Sequence, residues 1–298
     1  ARKRSRGPAA MTIGETDFFA LYADELRRAG FTPRSPGAWD ERAAGFGRQG
    51  ASSRYVDDFI GRLDLAGART LLDVGCGPGT LALPLAARLQ RIIAVDYSPA
   101  MLAALRERAT AQGIANVDTL LRSWSDDWSD VPVCDIAVAS RSLTVTDLRD
   151  ALGKLSARAR LRACVTYRVG GSFVDPEILE LAGVPGRRIP DHAIVVGALR
   201  QMGFQPQVGY IDTPARFAGS ADFAEFAQRL QWHTGPLDDA ALGRLRRWYD
   251  ADPVRAGAGG RPVRWAFISW ECSTPDADGR GAARQPEPSP GSSHARGA

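Results

Sequence analysis

Between positions 70 and 96 the chain lays down an apolar run, a glycine turn, a leucine-rich stretch and a second apolar run closed by an acid. The first run is Leu71-Leu72-Asp73-Val74 and the turn is Gly75-Cys76-Gly77-Pro78-Gly79-Thr80; the second run, Ile92-Ile93-Ala94-Val95, ends in Asp96. Glycines spaced one residue apart at the carboxyl end of a buried strand supply positive φ and let backbone approach a ligand. Residues 81–89 read as the helix that follows, with Pro84 in its first turn. Its leading N–H groups favour a negative group at the turn. Asp96 stands 21 positions after Gly75, where a βαβ unit offers a carboxylate to ribose hydroxyls. The unit suits an adenosine-bearing cofactor.

The dinucleotide pattern G-x-G-x-x-G is not met, because its third glycine would fall on Thr80. The pattern present is G-x-G-x-G, preceded by Asp73. With Val95-Asp96-Tyr97-Ser98-Pro99-Ala100-Met101-Leu102 downstream, it resembles the first two motifs of the class I S-adenosylmethionine-dependent methyltransferases. The order of elements from Trp39 to Cys272 is similar to that family's, although only these two motifs are specific. The resemblance implies S-adenosylmethionine as cofactor, with Asp73 near the methionine amino group, directly or through water. Gly75 and Cys76 would pass under the methionine part, and Gly77 and Gly79 complete the turn. Asp96 would accept both ribose hydroxyls. Tyr97 and Met101 would pack on the adenine faces; for Met101 a place in the helix core is the alternative.

The strand succession is regular. Strands are expected at residues 70–74, 91–95, 117–122, 135–139, 163–167, 204–211 and 263–272, with helices at 99–113, 147–159 and 191–202 between them. Near-continuous apolar strands alternating with helices argue a buried parallel sheet. The expected fold is therefore α/β, a Rossmann-like doubly wound seven-stranded sheet, mostly parallel with an antiparallel last strand. Three helices, at 17–30, 36–47 and 53–65, precede the sheet. They would lie over the cofactor, with Trp39-Asp40-Glu41-Arg42 and Tyr55 closing the pocket or simply packing helix to sheet. A Pro/Gly-punctuated stretch follows the fifth strand. A helical insertion at about 214–262 precedes the last strand. Phe223, Phe226, Ala227 and Leu230 mark one helix of it; Asp238 caps another that continues through Leu245, Trp248 and Tyr249. This pair must dock on the sheet edge or over the site, as a structural hairpin or a substrate-facing lid. Residues 1–10 and 273–298 read as disordered tails around a domain at 11–272, for which Met11 is a candidate start.

Composition narrows the partners. The formal charge of +4 is supplied by Arg2, Lys3, Arg4 and Arg6, so residues 7–298 sum to zero. A neutral body argues against nucleic acid. Lys3 and Lys154 are the only lysines, a bias that strips arginine abundance of meaning unless a location supports it. Cys76, Cys134, Cys164 and Cys272 form no metal-binding spacing. No signal peptide or membrane-length apolar run is present, which implies a cytoplasmic protein.

The acceptor side is thinner. After the third strand, Ser123 and Trp124 occupy the turn that contacts adenine in the family; its usual acid is displaced to Asp126 or Asp127. Ser140, after the fourth strand, would line the methionine end. The following Arg141-Ser142-Leu143 lacks the Asn/Asp-Pro-Pro-Tyr/Phe pattern of methylases acting on base amino groups. Arg141 either holds an acidic acceptor or is a surface arginine. Tyr167 or Arg168, before Gly170-Gly171, either faces the acceptor or belongs to a structural turn. His192 and His233 read as surface or capping residues before they read as bases. The expected function is methyl transfer to a small molecule with no assigned catalytic base. An RNA or protein methyltransferase and a non-catalytic cofactor-binding scaffold are the alternatives.

Overall fold

The computed structural model describes residues 16–46, 54–186 and 189–272. The expected tails, Met11, and the start of the third helix at Ser53 lie outside the described residues. Seven strands form one sheet in the order β3-β2-β1-β4-β5-β7-β6. They are β1 (Thr70–Val74), β2 (Arg91–Asp96), β3 (Val117–Leu121), β4 (Cys134–Ser140), β5 (Ala159–Arg168), β6 (Gln207–Thr213) and β7 (Val263–Glu271). The first five pair in parallel, and β7 runs antiparallel between β5 and β6.

Side-chain alternation along each strand gives the sheet two buried faces. Leu72, Val74, Ile93, Val95, Ala137, Val165 and Tyr167 point to one. Helices α1 (Phe18–Arg28), α6 (Leu148–Ala157) and α8 (His192–Gln201) cover it. Leu71, Ile92, Ala94, Ile136, Val138, Cys164 and Phe267 point to the other. It is covered by α3 (Arg54–Arg62), α4 (Ala82–Leu85) and α5 (Pro99–Ala111), while α2 (Pro36–Phe46) lies on α5. Asp73 sits opposite Ala94 and Val138, so it belongs to the second face. By the same parity Ser140, Thr166 and Arg168 share that face with Trp265.

Local chemistry fixes the helix starts. Asp17, Ser98 and Asp147 accept backbone N–H bonds at the first turns of α1, α5 and α6, and Pro99 opens α5. The expected helix at 81–89 is shorter than its composition suggests. It ends as α4 at Leu85 and continues as a 3₁₀ turn, Ala86–Arg88. Leu89 is already extended at φ −132° and ψ 154°, because β2 begins two residues later and the chain must rise faster than an α-helix climbs.

The stretch after β5 holds a helix that the sequence conceals, α7 (Pro176–Ala182). Pro176 stands at its first position after the Asp175 cap, and Gly183 closes it at φ 67°. Proline and glycine bound this helix rather than break it. The insertion forms α9 (Phe223–Thr234), α10 (Asp239–Ala251) and α11 (Pro253–Gly257), and Asp238 caps α10. Its apolar face packs on α7, not on the sheet edge: Phe217, Phe226, Leu230 and Leu245 join Ile178 and Ala182 in a third core.

Candidate functional site

The glycine turn is tied to the second strand before anything binds. The N–H groups of Gly75 and Cys76 both donate to the Val95 carbonyl, at 2.7 and 3.0 Å. Its three glycines are required for different reasons. Gly75 has φ 71°, and a Cβ there would lie 2.4 Å from Ser142 Cβ. Ser142 is held in that place by its hydroxyl, which donates to the Val74 carbonyl at 2.7 Å. Gly79 has φ 81°, and a Cβ there would press on Leu83 and Leu105. Gly77, at φ 53°, has nothing within 4 Å of the position a Cβ would take. That one faces open space.

Two carboxylates flank the turn. Asp73 is 1% exposed, and its Oδ2 has no hydrogen-bond partner. Burial raises its pKa to about 7, the Asp96 charge adds to the rise, and a bond from the Ala82 backbone opposes it. Asp96 accepts from Gly77 N through Oδ2 and from Ser98 N through Oδ1, both at 2.9 Å. Burial raises its pKa too, against those backbone bonds. Burial and the same two acids push the Cys76 thiol well above its ordinary range, so it acts as a small apolar residue in the turn.

The segment carrying Arg34 and Asp40 is bonded to the residues that follow Asp96. Tyr97 donates to the Arg34 carbonyl at 3.1 Å and bonds with Trp39. Asp40 accepts from Ser98 Oγ at 2.6 Å and from Ala100 N at 3.2 Å. Met101 is buried, with its N–H on Ser98 Oγ. Trp39 thus reaches Tyr97, which adjoins Asp96, while Asp40 and the Met101 backbone share Ser98.

The acceptor-side candidates divide. Tyr55 is buried, and its hydroxyl meets Ser140 Oγ and Thr166 Oγ1, each at 2.7 Å. Arg141 stands over the Tyr55 ring at 4.2 Å, with its N–H on Thr166 Oγ1. Arg168 is also buried, at the end of β5. Tyr167 is a correction. Strand alternation turns it to the opposite face, where it is 2% exposed and bonds with Tyr22. Ser123 follows β3. Its hydroxyl bonds Ser125 Oγ at 2.7 Å and its N–H bonds Asp126, so the loop's polar groups satisfy one another. Trp124 stacks on Trp128 and donates to the Ser142 carbonyl at 3.0 Å, which braces the residue packed on Gly75. The sequence reading did not single out Ser142, Thr166, Phe173, Arg216 or Trp265. Strand parity was the available signal for Thr166 and Trp265; nothing in the sequence brings Arg216 to Phe173. Among the described residues, no group of three His, Cys, Asp or Glu could hold a metal ion. No helix there is long and apolar enough to cross a membrane.

An open, mostly parallel sheet with a glycine turn and two acids at the carboxyl ends of adjacent central strands is a Rossmann-like architecture. Residues 71–160 match a family model described as a methyltransferase domain. The chain is 30% identical to an uncharacterized Haemophilus influenzae protein, across 87% of this chain and 98% of that one. It is 28% identical to the trans-aconitate 2-methyltransferase of Rhodococcus jostii, across 54% of this chain; the match spans 59% of that relative's length. A Bacillus halodurans structure solved as a candidate methyltransferase shares the fold, with a TM-score of 0.50 and 10% identity across 74% of this chain and all of that one. The chain belongs to the class I methyltransferases, enzymes whose methyl donor is S-adenosylmethionine.

Proposed function

We propose that the chain holds S-adenosylmethionine at the β1–β2 rim and passes its methyl group to a small-molecule acceptor. Asp73 carries the reading. A buried carboxylate with an unpartnered oxygen, beside a second buried acid, calls for a cation, and the cofactor's methionine end brings an ammonium and a sulfonium. On this reading Asp73 accepts from the ammonium. Asp96 has given one lone pair of each oxygen to backbone and keeps another on each for the ribose hydroxyls. Open space at Gly77 leaves room for the ligand against the turn, and Tyr97 and Met101 flank the adenine.

When bound, the sulfonium supplies a methyl group that a nucleophile takes by in-line displacement. The protein's part is then to align the acceptor and exclude water. The Trp39–Asp40 lid excludes water from the ribose side. The Tyr55–Ser140–Thr166 triad of hydroxyls fixes the floor between donor and acceptor. An acceptor already ionised at neutral pH needs no base. Residues 7–298 carry no net charge, which favours a small acceptor over a nucleic acid strand.

The test is calorimetric titration with S-adenosylhomocysteine. Asp96→Ala should weaken binding by about 1.5–3 kcal/mol, the usual worth of hydrogen bonds to a charged acceptor. Unchanged affinity would remove Asp96 from the site, and no binding to the parent chain would remove the reading itself.

A further inference from the structure

Arg168 is a buried cation on the same sheet face as Asp73, and its surroundings do not neutralise it. The residue is 9% exposed, its Nε has no hydrogen-bond partner, and among the described residues no carboxylate lies within ion-pair distance of it. Its guanidinium instead lies 3.3 Å from the centroid of the Phe173 ring. A second guanidinium, that of Arg216, approaches the same ring at 5.6 Å. Burial lowers the Arg168 pKa to about 10, and the Arg216 charge acts in the same direction. Arg216 donates through Nε to His233 Nε2 at 2.6 Å, whereas Arg168 is left with an aromatic face, a weaker partner for a buried guanidinium than a carboxylate.

The arginines continue a surface that begins at the donor side. Trp265 meets Phe173 at 5.7 Å and Tyr55 at 6.1 Å between ring centroids, and Arg141 stands over Tyr55. Tyr55, Trp265 and Phe173 thus form an aromatic strip with a guanidinium at each end. Arg141 itself is held at φ 59°, the only described non-glycine residue with positive φ. Such a conformation persists where the surroundings impose it, and it recurs at functional sites. Arg168 shares its sheet face with Asp73, two strands away across β4. Arg216 comes from the segment between β6 and α9, and also lines an open cleft of about 420 Å³ with Trp232 and His233.

We propose that Arg168 and Arg216, both placed against Phe173, form an oxyanion-binding subsite for the methyl acceptor, which is therefore a small molecule bearing a carboxylate or a phosphate. The planar guanidinium fork suits either group. Arg141 receives a second anionic group, or the polar end of the acceptor, above Tyr55. The proposal rests on the cofactor reading for the word acceptor, but the subsite's affinity for anions does not.

The full chain, with and without saturating S-adenosylhomocysteine, is titrated with citrate, with pyrophosphate and with the uncharged triethyl ester of citrate. Saturable binding of citrate or pyrophosphate, with none of the ester, is expected. Citrate alone marks a carboxylate acceptor and pyrophosphate alone a phosphate-bearing one. Arg168→Met should weaken the anion at least tenfold and leave S-adenosylhomocysteine affinity within about twofold. Arg216→Met, at a half-buried position, should weaken the anion several-fold and provides the measurement if the first variant does not fold. Failure of both anions to bind, or equal affinity in the variants, overturns the subsite. Failure of S-adenosylhomocysteine to bind while the anion still depends on Arg168 overturns the cofactor reading and spares the subsite.

Discussion

Asp73 and Arg168 are each left with an unpartnered atom in a buried setting, and each sits where its strand ends. Isolated buried charges are costly, so such positions are kept for what they bind. For Asp73 the cost has a pH signature. Its folded pKa is about 7 against an ordinary value of 3.8, so the folded chain keeps a proton that the unfolded chain releases. Stability from this group is full in acid and is lost as pH rises from about 4 to about 7. Asp73→Asn should therefore be more stable than the parent in denaturant at about pH 8, and the difference should vanish near pH 4. S-adenosylhomocysteine binding to the parent should tighten as pH rises toward neutrality, because the ammonium wants the ionised carboxylate. The glycines allow a second comparison. Gly75→Ala forces a left-handed alanine and a 2.4 Å contact with Ser142, whereas Gly77→Ala pays for the backbone alone. Thermal melts should show Gly77→Ala losing about 1–2 kcal/mol and Gly75→Ala distinctly more. Calorimetry should show Gly77→Ala impaired in cofactor binding beyond its loss of stability.

Helix α2 is attached to the β1–β2 rim through polar groups. Asp40 takes both the Ser98 hydroxyl and the Ala100 N–H at the first turn of α5, so one carboxylate joins two helices. Asp40→Ala should cost about 1 kcal/mol, as loss of a helix-start acceptor does. Hydrogen exchange should quicken in residues 36–46 while the sheet amides keep their protection; unchanged exchange there would mean that α2 is held by other contacts. The elements also differ in how readable they were. The five parallel strands and α5 announce themselves through apolar runs and the Ser98-Pro99 cap. Helix α7 does not, because its seven residues are too few to show a period and its bounding Pro176 and Gly183 look like a loop. Arg168 was legible as a position at a strand end; its unneutralised state was not, because that depends on which side chains arrive from elsewhere.

The described residues form three cores rather than two. Both faces of the sheet carry one, and α7, α9 and α10 enclose the third around Phe226 and Leu245. Separate cores permit partial independence. Phe226→Ala, which empties the centre of the third core, should cost about 3–5 kcal/mol. Its effect should be regional: exchange protection should fall across α7, α9 and α10 and persist in β1, β2 and β4. S-adenosylhomocysteine affinity should be little changed. A uniform loss of protection would show instead that all three cores melt as one.

The sheet and the β1–β2 rim follow from order along the chain. Apolar runs, spaced glycines and strand-end acids are local signals, and parallel strands joined by helices have few ways to assemble. So Asp73, Gly75, Gly77, Gly79 and Asp96 could be placed from their letters and spacing. The acceptor side arises from contacts between distant segments. Ser142 at Gly75, Arg216 at Phe173 and Tyr55 between Ser140 and Thr166 are meetings that no local pattern encodes. Strand alternation then sent Tyr167 to one face and Arg168 to the other, a distinction that rests on the register of β5 against β4 and β7. Periodicity needs only neighbours in sequence, whereas contacts between distant stretches exist only once the chain has closed on itself.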